Sequence, residues 1–414
     1  MIIVHSPCSR ESKFIQEIVE VISRRLHLLP FFSTEHLVGI DSRMEEIASN
    51  LEIGMNDSRI LGICGMGGIG KSTIARVIYN RFSYQFEGSC FLADVREVTQ
   101  RCGLIYLQER LLSEISFGRD IRISDVLVGV NLIRKTLCGK RILLVLDDVD
   151  HFEQLDKLAV QHGCFGHGSR IIITSRDQYL LKRFEVDLIY RPEKLNNEEA
   201  LVLFSLKSFK KEHPPKDYME MSNHFLEYAA GLPLAINVLG SLLYARSIQQ
   251  WEETLKKVIL HPMREIDNVL KISYNGLHDT EREIFLYIAC FFEGEDEKHV
   301  IQILGYLDLF IYVGLSVLID KCLIEISSDK KLHMHNLLRQ MGRKIVHQEC
   351  EKEPGKRSRL WMHEDIDDVL TKNMVRGYVG IFMLSIDPIL LLKKIYILSN
   401  ACTLILCNSP IPCS

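Results

Sequence analysis

The stretch RILGICGMGGIGKST, residues 59–73, carries more information on the fold than any other part of this 414-residue chain. An apolar run, Arg59–Cys64, is followed by a glycine-rich loop and then by a helical pattern from Lys71 to Phe82. Residues 65–72 fit the pattern Gly-x-x-x-x-Gly-Lys-Ser completely, in the strand–loop–helix setting that this pattern requires. Glycines let the backbone fold around an anion and point its N–H groups at it. The sequence therefore predicts a phosphate-binding loop.

We expect this loop to bind the phosphates of a nucleotide. Lys71 has the reach and the charge to contact the β- and γ-phosphates and to assist catalysis, and the hydroxyl group of Ser72 is available to Mg²⁺. The helix that begins there adds positive potential. A glycine-rich turn with a chance lysine is the structural alternative. The predicted nucleotide-binding residues of the loop are Gly65, Met66, Gly67, Gly68, Ile69, Gly70, Lys71, Ser72 and Thr73.

A second motif follows about 75 residues later. It is LLVLDD, residues 143–148, an apolar run that ends in two acids. An acid in this place can hold Mg²⁺ through its water shell, and we assign that role to Asp147. Asp148 is placed to polarise the attacking water, which is a catalytic, base-like role. Two acids that merely begin an ordinary loop are the alternative.

A third strand-like run, IIITSR at residues 171–176, ends in polar residues. Arg176 is predicted to sense the γ-phosphate of a bound nucleotide. A purely structural ion pair of Arg176 is the alternative that the spacing leaves open.

Apolar strand-like runs alternate with helical patterns as far as about residue 190, which is typical of a parallel sheet flanked by helices. The continuous apolar run Ile142–Leu146 fits a strand buried on both faces. The predicted strands are Arg59–Cys64, Ser89–Asp94, Arg141–Asp147 and Arg170–Thr174. The predicted helices between them are Lys71–Phe82, Leu104–Ile115, Asp125–Leu137 and Phe152–Val160.

After Pro192 the pattern changes to helices. These are predicted at Asn196–Lys210, Tyr218–Ala230, Leu234–Tyr244 and Gln250–Val258, with a further helical block from Ile266 to about Asp320. Two strand-like runs, Cys322–Ile326 and Lys331–Met334, then precede a helix at Asn336–His347. The predicted fold class is an α/β P-loop NTPase domain with a parallel sheet, followed by an α-helical bundle and a winged-helix domain.

The N-terminal part is less informative. Glu11–Leu26 has the period of an amphipathic helix, and Leu28–His36 has the composition of a linker. Asp41 is placed to cap a second helix that runs to Ile53. No apolar segment of useful length develops near Met1, so a signal peptide is not predicted.

Composition narrows the classes of function. A formal net charge of -4 gives no indication of a nucleic-acid partner. The 12 cysteines include no Cys-x-x-Cys pair, which suits a reducing compartment. The apolar tail Ile386–Cys407 is interrupted by polar residues and is a poor candidate for a membrane span. We therefore expect a cytoplasmic or nucleo-cytoplasmic location, and neither a membrane nor a nucleic acid as a partner.

These motifs, in this order, resemble the NB-ARC family of signal-transduction NTPases, which plant disease-resistance receptors share with apoptotic protease-activating factors. The likeness covers roughly residues 37–347. It includes Leu37-Val-Gly-Ile-Asp-Ser-Arg43, Phe91-Leu-Ala-Asp-Val-Arg-Glu97, Gly168-Ser-Arg-Ile-Ile-Ile-Thr-Ser-Arg176, Gly231-Leu-Pro-Leu-Ala235 and Met334-His-Asn336. The ending Leu146-Asp-Asp-Val-Asp150 resembles the subclass with an N-terminal TIR domain.

The resemblance implies roles that the spacing alone does not. Pro233 is implied to pack on the adenine, and His335 to contact the β-phosphate of ADP. The implied domains are a residual TIR helix and linker (1–36), a nucleotide-binding domain (37–192), an ARC1-type bundle (193–262), an ARC2-type winged helix (263–350) and a run-up to absent repeats with a divergent tail (351–414).

The chain also departs from the family pattern. Most of a TIR domain and the leucine-rich repeats are missing, which resembles a truncated gene product or a partial gene model. NAD hydrolysis is therefore not expected, and the enzymatic activity is at most that of a slow ATPase. Asn336 stands where the family has Asp, and losing that charge is expected to weaken the ADP-bound off state.

The resemblance implies an ADP/ATP-binding molecular switch in plant innate immune signalling. Such a switch is off when it binds ADP and on when it binds ATP, and it requires Mg²⁺. Its implied protein partners are further copies of itself or other immune receptors.

Three alternatives remain. One is a P-loop enzyme that acts on a second substrate, for which the residues show no further acid–base constellation. Another is a winged-helix transcriptional regulator with ATP-controlled DNA binding. The last is a non-signalling adaptor or decoy.

Overall fold

The computed structural model describes residues 37–116, 121–158, 160–161, 163–260, 263–307, 309–372, 380–384 and 404–407. The predicted N-terminal helix and linker, and most of the apolar tail, lie outside these residues. The chain forms two compact units. Among the described residues, the first unit holds 37–65 and 69–206, and the second holds 66–68 and those from 207 to 407.

A five-stranded sheet forms the centre of the first unit, in the order β2-β3-β4-β1-β5, with every neighbouring pair parallel. Its strands are β1 Arg59–Cys64, β2 Gly88–Leu92, β3 Ile142–Val149, β4 Arg170–Ser175 and β5 Leu188–Tyr190. The apolar residues of β3 and β4 are fully buried, as expected for strands covered by helices on both faces. The predicted parallel sheet is confirmed. Strand β5, which has only three residues and lies at the edge of the sheet, was not predicted from the sequence.

The helices of the first unit connect these strands. They are α1 Ile40–Leu51, α2 Lys71–Phe82, α3 Val95–Ile115, α4 Val126–Leu137, α5 Phe152–Lys157 and α6 Gln178–Arg183. A short 3-10 turn at Ser83–Gln85 follows α2. One face of α2 packs on the sheet through Ile74, Ala75 and Ile78.

Two local predictions in this unit were wrong, and one helix was missed. Gly39, in the left-handed region, precedes α1 and leaves Asp41 inside the first turn without a capping bond. The third helix begins at Val95, nine residues earlier than predicted, because a first segment ends at the kink of Gly103. Helix α6, capped by the Asp177 side chain, was not predicted. At α4 the Asp125 side chain caps the helix, since it accepts from the N–H groups of Leu127 and Val128.

The second unit consists mainly of helices. These are α7 Asn197–Phe209, which begins in the first unit, α8 Met219–Ala229, α9 Pro233–Leu243, α10 Ile248–Leu260, α11 Arg264–Asn275, α12 Asp279–Tyr287, α13 Glu297–Gly305, α14 Ile311–Asp320, α15 Asn336–Glu349 and α16 His363–Lys372. Trp251 of α10 is fully buried among aromatic side chains and donates to the carbonyl oxygen of Leu243. The bundle therefore has its own aromatic core.

The predicted ribbon is present as β6 Glu325–Ile326 and β7 Leu332–His333, paired antiparallel before α15. A π-helical turn at Ile288–Phe292 packs beside α15, and 3-10 turns lie at Lys216–Tyr218 and Pro354–Lys356. Three further strands, β8 Arg359–Leu360, β9 Gly380–Leu384 and β10 Leu404–Cys407, form a parallel sheet. The fold class is confirmed: a P-loop α/β domain, helices and a winged helix. None of the described helices combines the length and apolar character that a bilayer crossing requires.

Candidate functional site

The glycine-rich loop joins β1 to α2 in a conformation that favours glycine. Gly68 and Gly70 have φ angles of 85° and 100°, in the region that side-chain-bearing residues seldom adopt. Gly70 is the N-cap of α2 and offers no side-chain capping bond to the first helical N–H groups. Lys71 is 6% exposed, and its ammonium group donates to the Gly65 carbonyl oxygen over 2.7 Å. The side chain of Lys71 thus bonds back to the first residue of the loop. No side chain of the described residues caps the first N–H groups of α2.

Within the second unit, the middle of this loop contacts the start of α9. The N–H group of Leu234 donates to the Gly68 carbonyl oxygen over 3.2 Å. A Cβ atom on Gly68 would lie 2.7 Å from the Cβ of Leu234, which is closer than packed side chains allow. Gly68 is therefore required for close approach as well as for its φ angle.

Asp147 lies at the carboxyl end of β3 and is 2% exposed. The hydroxyl group of Thr174, on the neighbouring strand β4, donates to its Oδ1 over 2.6 Å. Burial raises the pKa of Asp147, although hydrogen bonds from Thr174 and from Ser72 oppose that effect. The structure thus brings together the two residues that the sequence assigned to Mg²⁺, Ser72 and Asp147.

Asp148 sits on an irregularity of the sheet. The register between β3 and β4 shifts between Leu146 and Val149, and Asp148 takes a φ angle of 56°. Its N–H group donates to the Thr174 hydroxyl oxygen over 2.8 Å. Thr174 therefore holds both acids, because it donates to Asp147 and accepts from Asp148. Such bulges re-aim a side chain that a regular strand would point elsewhere.

Two arginines share the carboxylate of Asp148. Arg96, in the first turn of α3, lies 2.8 Å from Oδ2, and Arg176, directly after β4, lies 3.3 Å from Oδ1. Burial alone would raise the pKa of Asp148, but the charges of Arg176 and Arg96 outweigh it and hold the pKa below its ordinary value. Asp148 is therefore ionised and paired at neutral pH.

Sequence reasoning missed two residues of this site. Thr174 was taken only as the end of a strand, and Arg96 only as part of a family-like segment. Both are placed by sheet topology, because β2, β3 and β4 are neighbours and their carboxyl ends meet at one edge.

Pro233 and His335 lie in the second unit. Pro233 is the first residue of α9, where a proline fits because the N–H group is not needed. His335 caps α15: its Nδ1 accepts from the N–H group of Leu337, and its Nε2 lies 3.2 Å from the carbonyl oxygen of Ala230. The segments Gly231–Ala235 and Met334–Asn336, distant in sequence, thus meet through His335 and Ala230.

Asn336 is the first residue of α15 and lines a cavity of about 380 Å³. Its Oδ1 accepts from Arg339 over 3.2 Å. The other residues that line the cavity are His224, Glu227, Tyr228, Leu255, Ile259 and Gln340.

The basic side chains of α15 are engaged inside the second unit. Arg343 donates to the carbonyl oxygens of Ala289 and Cys290, and Lys344 pairs with Asp267 over 2.9 Å.

The residues fit a nucleotide phosphate and a metal ion. At Gly70 a Cβ would meet nothing within 4 Å, so space is open beside the uncapped start of α2. Ser72 and Asp147 supply hydroxyl and carboxylate oxygens, the ligand atoms that Mg²⁺ prefers. No group of three or more His, Cys, Asp or Glu side chains that could hold a metal occurs among the described residues. A metal here would therefore need nucleotide or water oxygens as further ligands.

Two family models match parts of this chain. The NB-ARC domain family matches residues 40–214, and the winged-helix domain of Roq1-like disease resistance proteins matches residues 278–350. The fold and site define a P-loop nucleotide-binding protein. Residues 40–214 are thus similar to an NB-ARC domain, and residues 278–350 are similar to a winged helix of the Roq1-like type.

Plant relatives match almost the whole chain. Disease resistance proteins RUN1 and RPV1 of Vitis rotundifolia are each 42% identical, over 94% and 91% of this chain. TMV resistance protein N of Nicotiana glutinosa is 40% identical over 87% of it. The chain spans 29%, 27% and 31% of the length of these three relatives. The Walker-type ATPase PABY2304 of Pyrococcus abyssi is similar in fold, with a TM-score of 0.49 at 14% identity over 75% of this chain and 97% of that one.

Proposed function

We propose that this chain is the nucleotide-operated switch region of a plant disease resistance protein, which binds ADP or ATP with Mg²⁺ and passes the bound state to immune signalling. The observation that carries the proposal is the cluster of Lys71, Ser72, Asp147 and Asp148 at the carboxyl edge of the sheet. Kinship with disease resistance proteins supports the immune role. The five-part domain division given above belongs to the same proposal.

In this proposal the residues of the loop and the sheet edge have separate tasks. The amides of residues 65–73 and the ammonium group of Lys71 bind the phosphates, so Lys71 leaves the Gly65 carbonyl oxygen when nucleotide is present. Ser72 and Asp147 hold Mg²⁺. Pro233 packs on the adenine, and His335 reaches the β-phosphate in the ADP state.

Hydrolysis in such a site is slow for a physical reason. Asp148 is the residue placed to act on the attacking water, but its pKa is lowered by Arg176 and Arg96, against the opposing effect of burial. A general base works best when its pKa lies near the operating pH. Asp148 is therefore suited to orient water and a poor proton acceptor, which favours a switch over an enzyme with rapid turnover.

The DNA-binding alternative is less favoured, because Arg343 and Lys344 are used within the second unit. The enzyme alternative lacks a second acid–base constellation. An adaptor or decoy that binds nucleotide without signalling differs only in its partners, and it makes the same predictions for the site.

The first experiment is to identify the nucleotide released from purified, denatured protein by chromatography. The proposal predicts stoichiometric ADP or ATP, lost in Lys71→Ala. The control is Lys157→Ala, since Lys157 is a lysine of the same unit that pairs with Asp156 away from the loop. A protein that carries no nucleotide and does not bind added ADP or ATP, although its thermal unfolding is cooperative, would refute the proposal.

A further inference from the structure

We propose that Arg96 is a second phosphate-reading arginine, which together with Arg176 distinguishes a nucleoside triphosphate from a diphosphate, and that Asp148 occupies both arginines until a terminal phosphate replaces it. This inference rests on the proposed function, because it concerns the ligand of the same site. Arg96 is a positioning and specificity residue that the motif pattern alone does not assign.

The pairing of the two arginines carries the inference. Both Nε and a terminal nitrogen of Arg96 lie 2.8 Å from Oδ2 of Asp148, while Nε of Arg176 lies 3.3 Å from Oδ1. The three side chains are 16–21% exposed, so they are largely shielded but still open to solvent on one side. Each carboxylate oxygen thus engages one arginine, and a phosphate group offers anionic oxygens that an arginine also binds.

The backbone places these groups for exchange with a ligand. Arg96 lies in the helix after β2, Asp148 near the carboxyl end of β3, and Arg176 directly after β4. These three neighbouring strands end at the edge that also holds the phosphate-binding loop. Asp148 is a non-glycine residue in the left-handed region, held there by Thr174. Uncommon backbone conformations of this kind concentrate at functional sites.

Charged neighbours decide when the two arginines can bind a ligand. Lys71 lies close enough to Asp148 for its charge to lower the pKa of that carboxyl group, and Asp147 lies close enough to act on Arg176. Carboxylates thus already balance the cations of this edge, and a terminal phosphate binds both arginines only where it replaces the Asp148 carboxylate. In this inference a diphosphate leaves the pairing of the arginines with Asp148 intact.

The test measures Kd values of the full chain for ADP and for the non-hydrolysable triphosphate AMP-PNP, with Mg²⁺, by isothermal titration calorimetry. Arg96→Gln is expected to weaken AMP-PNP binding about tenfold, a change of about 1.4 kcal/mol, with ADP binding nearly unchanged. Arg176→Gln is expected to act in the same direction. Asp148→Asn is expected to act in the opposite direction, because it removes the competing carboxylate.

The matched control is Arg101→Gln, on the same helix, whose partner Glu97 and whose own side chain are exposed. It should leave both Kd values unchanged. Arg96→Lys keeps the charge and should recover part of the AMP-PNP affinity, which separates phosphate reading from a loss of folding. Equal weakening of ADP and AMP-PNP in Arg96→Gln, or no change in either, would overturn the inference. Wild-type protein that binds neither nucleotide would instead sink the proposed function, and this inference with it.

Discussion

An arginine lies at each end of strand β4, one fully buried and one partly exposed, and the two arginines differ in how their donors are used. At the amino end, Arg170 is fully buried and its guanidinium group donates to main-chain carbonyl oxygens and to one carboxylate. The residues that accept are Leu51, Glu52, Asp57 and Ser169. At the carboxyl end, Arg176 contacts a carboxylate that Arg96 also contacts.

This difference separates a structural arginine from a functional one. The acceptors of Arg170 are mostly fixed main-chain oxygens, which no ligand can replace, so the residue ties the turn after α1 to the sheet. Arg176 donates to the side chain of Asp148, at the irregular end of β3, and a phosphate can take the place of that carboxylate. The replaceability of such an acceptor distinguishes the two roles more directly than burial does.

The largest expected effect is on folding, in Arg170→Ala. We expect the free energy of unfolding to fall by up to about 3 kcal/mol, because the buried carbonyl oxygen of Leu51 loses its Arg170 donor and such a loss costs about 1–3 kcal/mol. Urea denaturation of the nucleotide-free protein measures the change. Arg176→Ala is the matched control at the other end of the strand and should cost about 1 kcal/mol or less, since Asp148 keeps Arg96. Equal losses in the two variants would contradict the comparison.

Most of the fold could be predicted from the sequence in segments where apolar residues follow a single spacing, either that of a strand or that of a helix. Strands β1, β3 and β4 are continuous apolar runs, and helices such as α2 and α4 begin at recognisable signals. Strand β5 was missed because three residues at an edge have no measurable period. Helix α3 was cut short because Gly103 splits it, and Gly39 instead of Asp41 precedes α1 because a left-handed turn replaced a side-chain cap.

The candidate site was predictable only as far as it lies in short motifs. Lys71, Ser72, Asp147 and Asp148 follow from local patterns. The contacts of Thr174 and Arg96 do not, since they depend on which strands are neighbours and on the register shift in β3. A side chain whose role is set by long-range pairing carries no local signal of that role.

A second prediction concerns Asp147, which lies at the same edge of the sheet as Arg176. Its pKa is raised above the ordinary value of 3.8, chiefly by burial. The folded protein therefore holds this proton more tightly than the unfolded chain, and it loses stability as the pH rises from that ordinary value through the raised one. Asp147→Asn cannot ionise, so at pH 7 without nucleotide its melting temperature should exceed that of the wild type by a few degrees.

The same variant should lose the Mg²⁺-dependent part of its nucleotide affinity, measured by titration with and without EDTA. Thermal unfolding from pH 3.5 to pH 8 checks the prediction on stability. The difference in melting temperature between Asp147→Asn and the wild type should shrink as the pH falls towards the ordinary pKa of an aspartate. The control Asp156→Asn, at an exposed ion pair with Lys157, should show neither effect. A variant that is less stable than the wild type at every pH would show that the ionised carboxylate stabilises this site.

The smallest expected effect concerns the start of α15, in Asn336→Asp. Asn336 already accepts from Arg339 over 3.2 Å, so a carboxylate there converts a neutral bond into an ion pair at the positive end of a helix, which is worth about 0.3–1 kcal/mol. Glu227 lines the same cavity and opposes an added negative charge.

If this position stabilises the ADP state, the variant should release ADP two- to five-fold more slowly, which corresponds to a rise of the activation free energy by about 1 kcal/mol or less. A fluorescent ADP analogue measures the rate of release. Asn336→Asp combined with Glu227→Gln removes the repulsion and should slow release further. Identical release rates in all three proteins would show that the charge at this position does not act on the nucleotide, and that His335 and the loop alone set how long ADP stays bound.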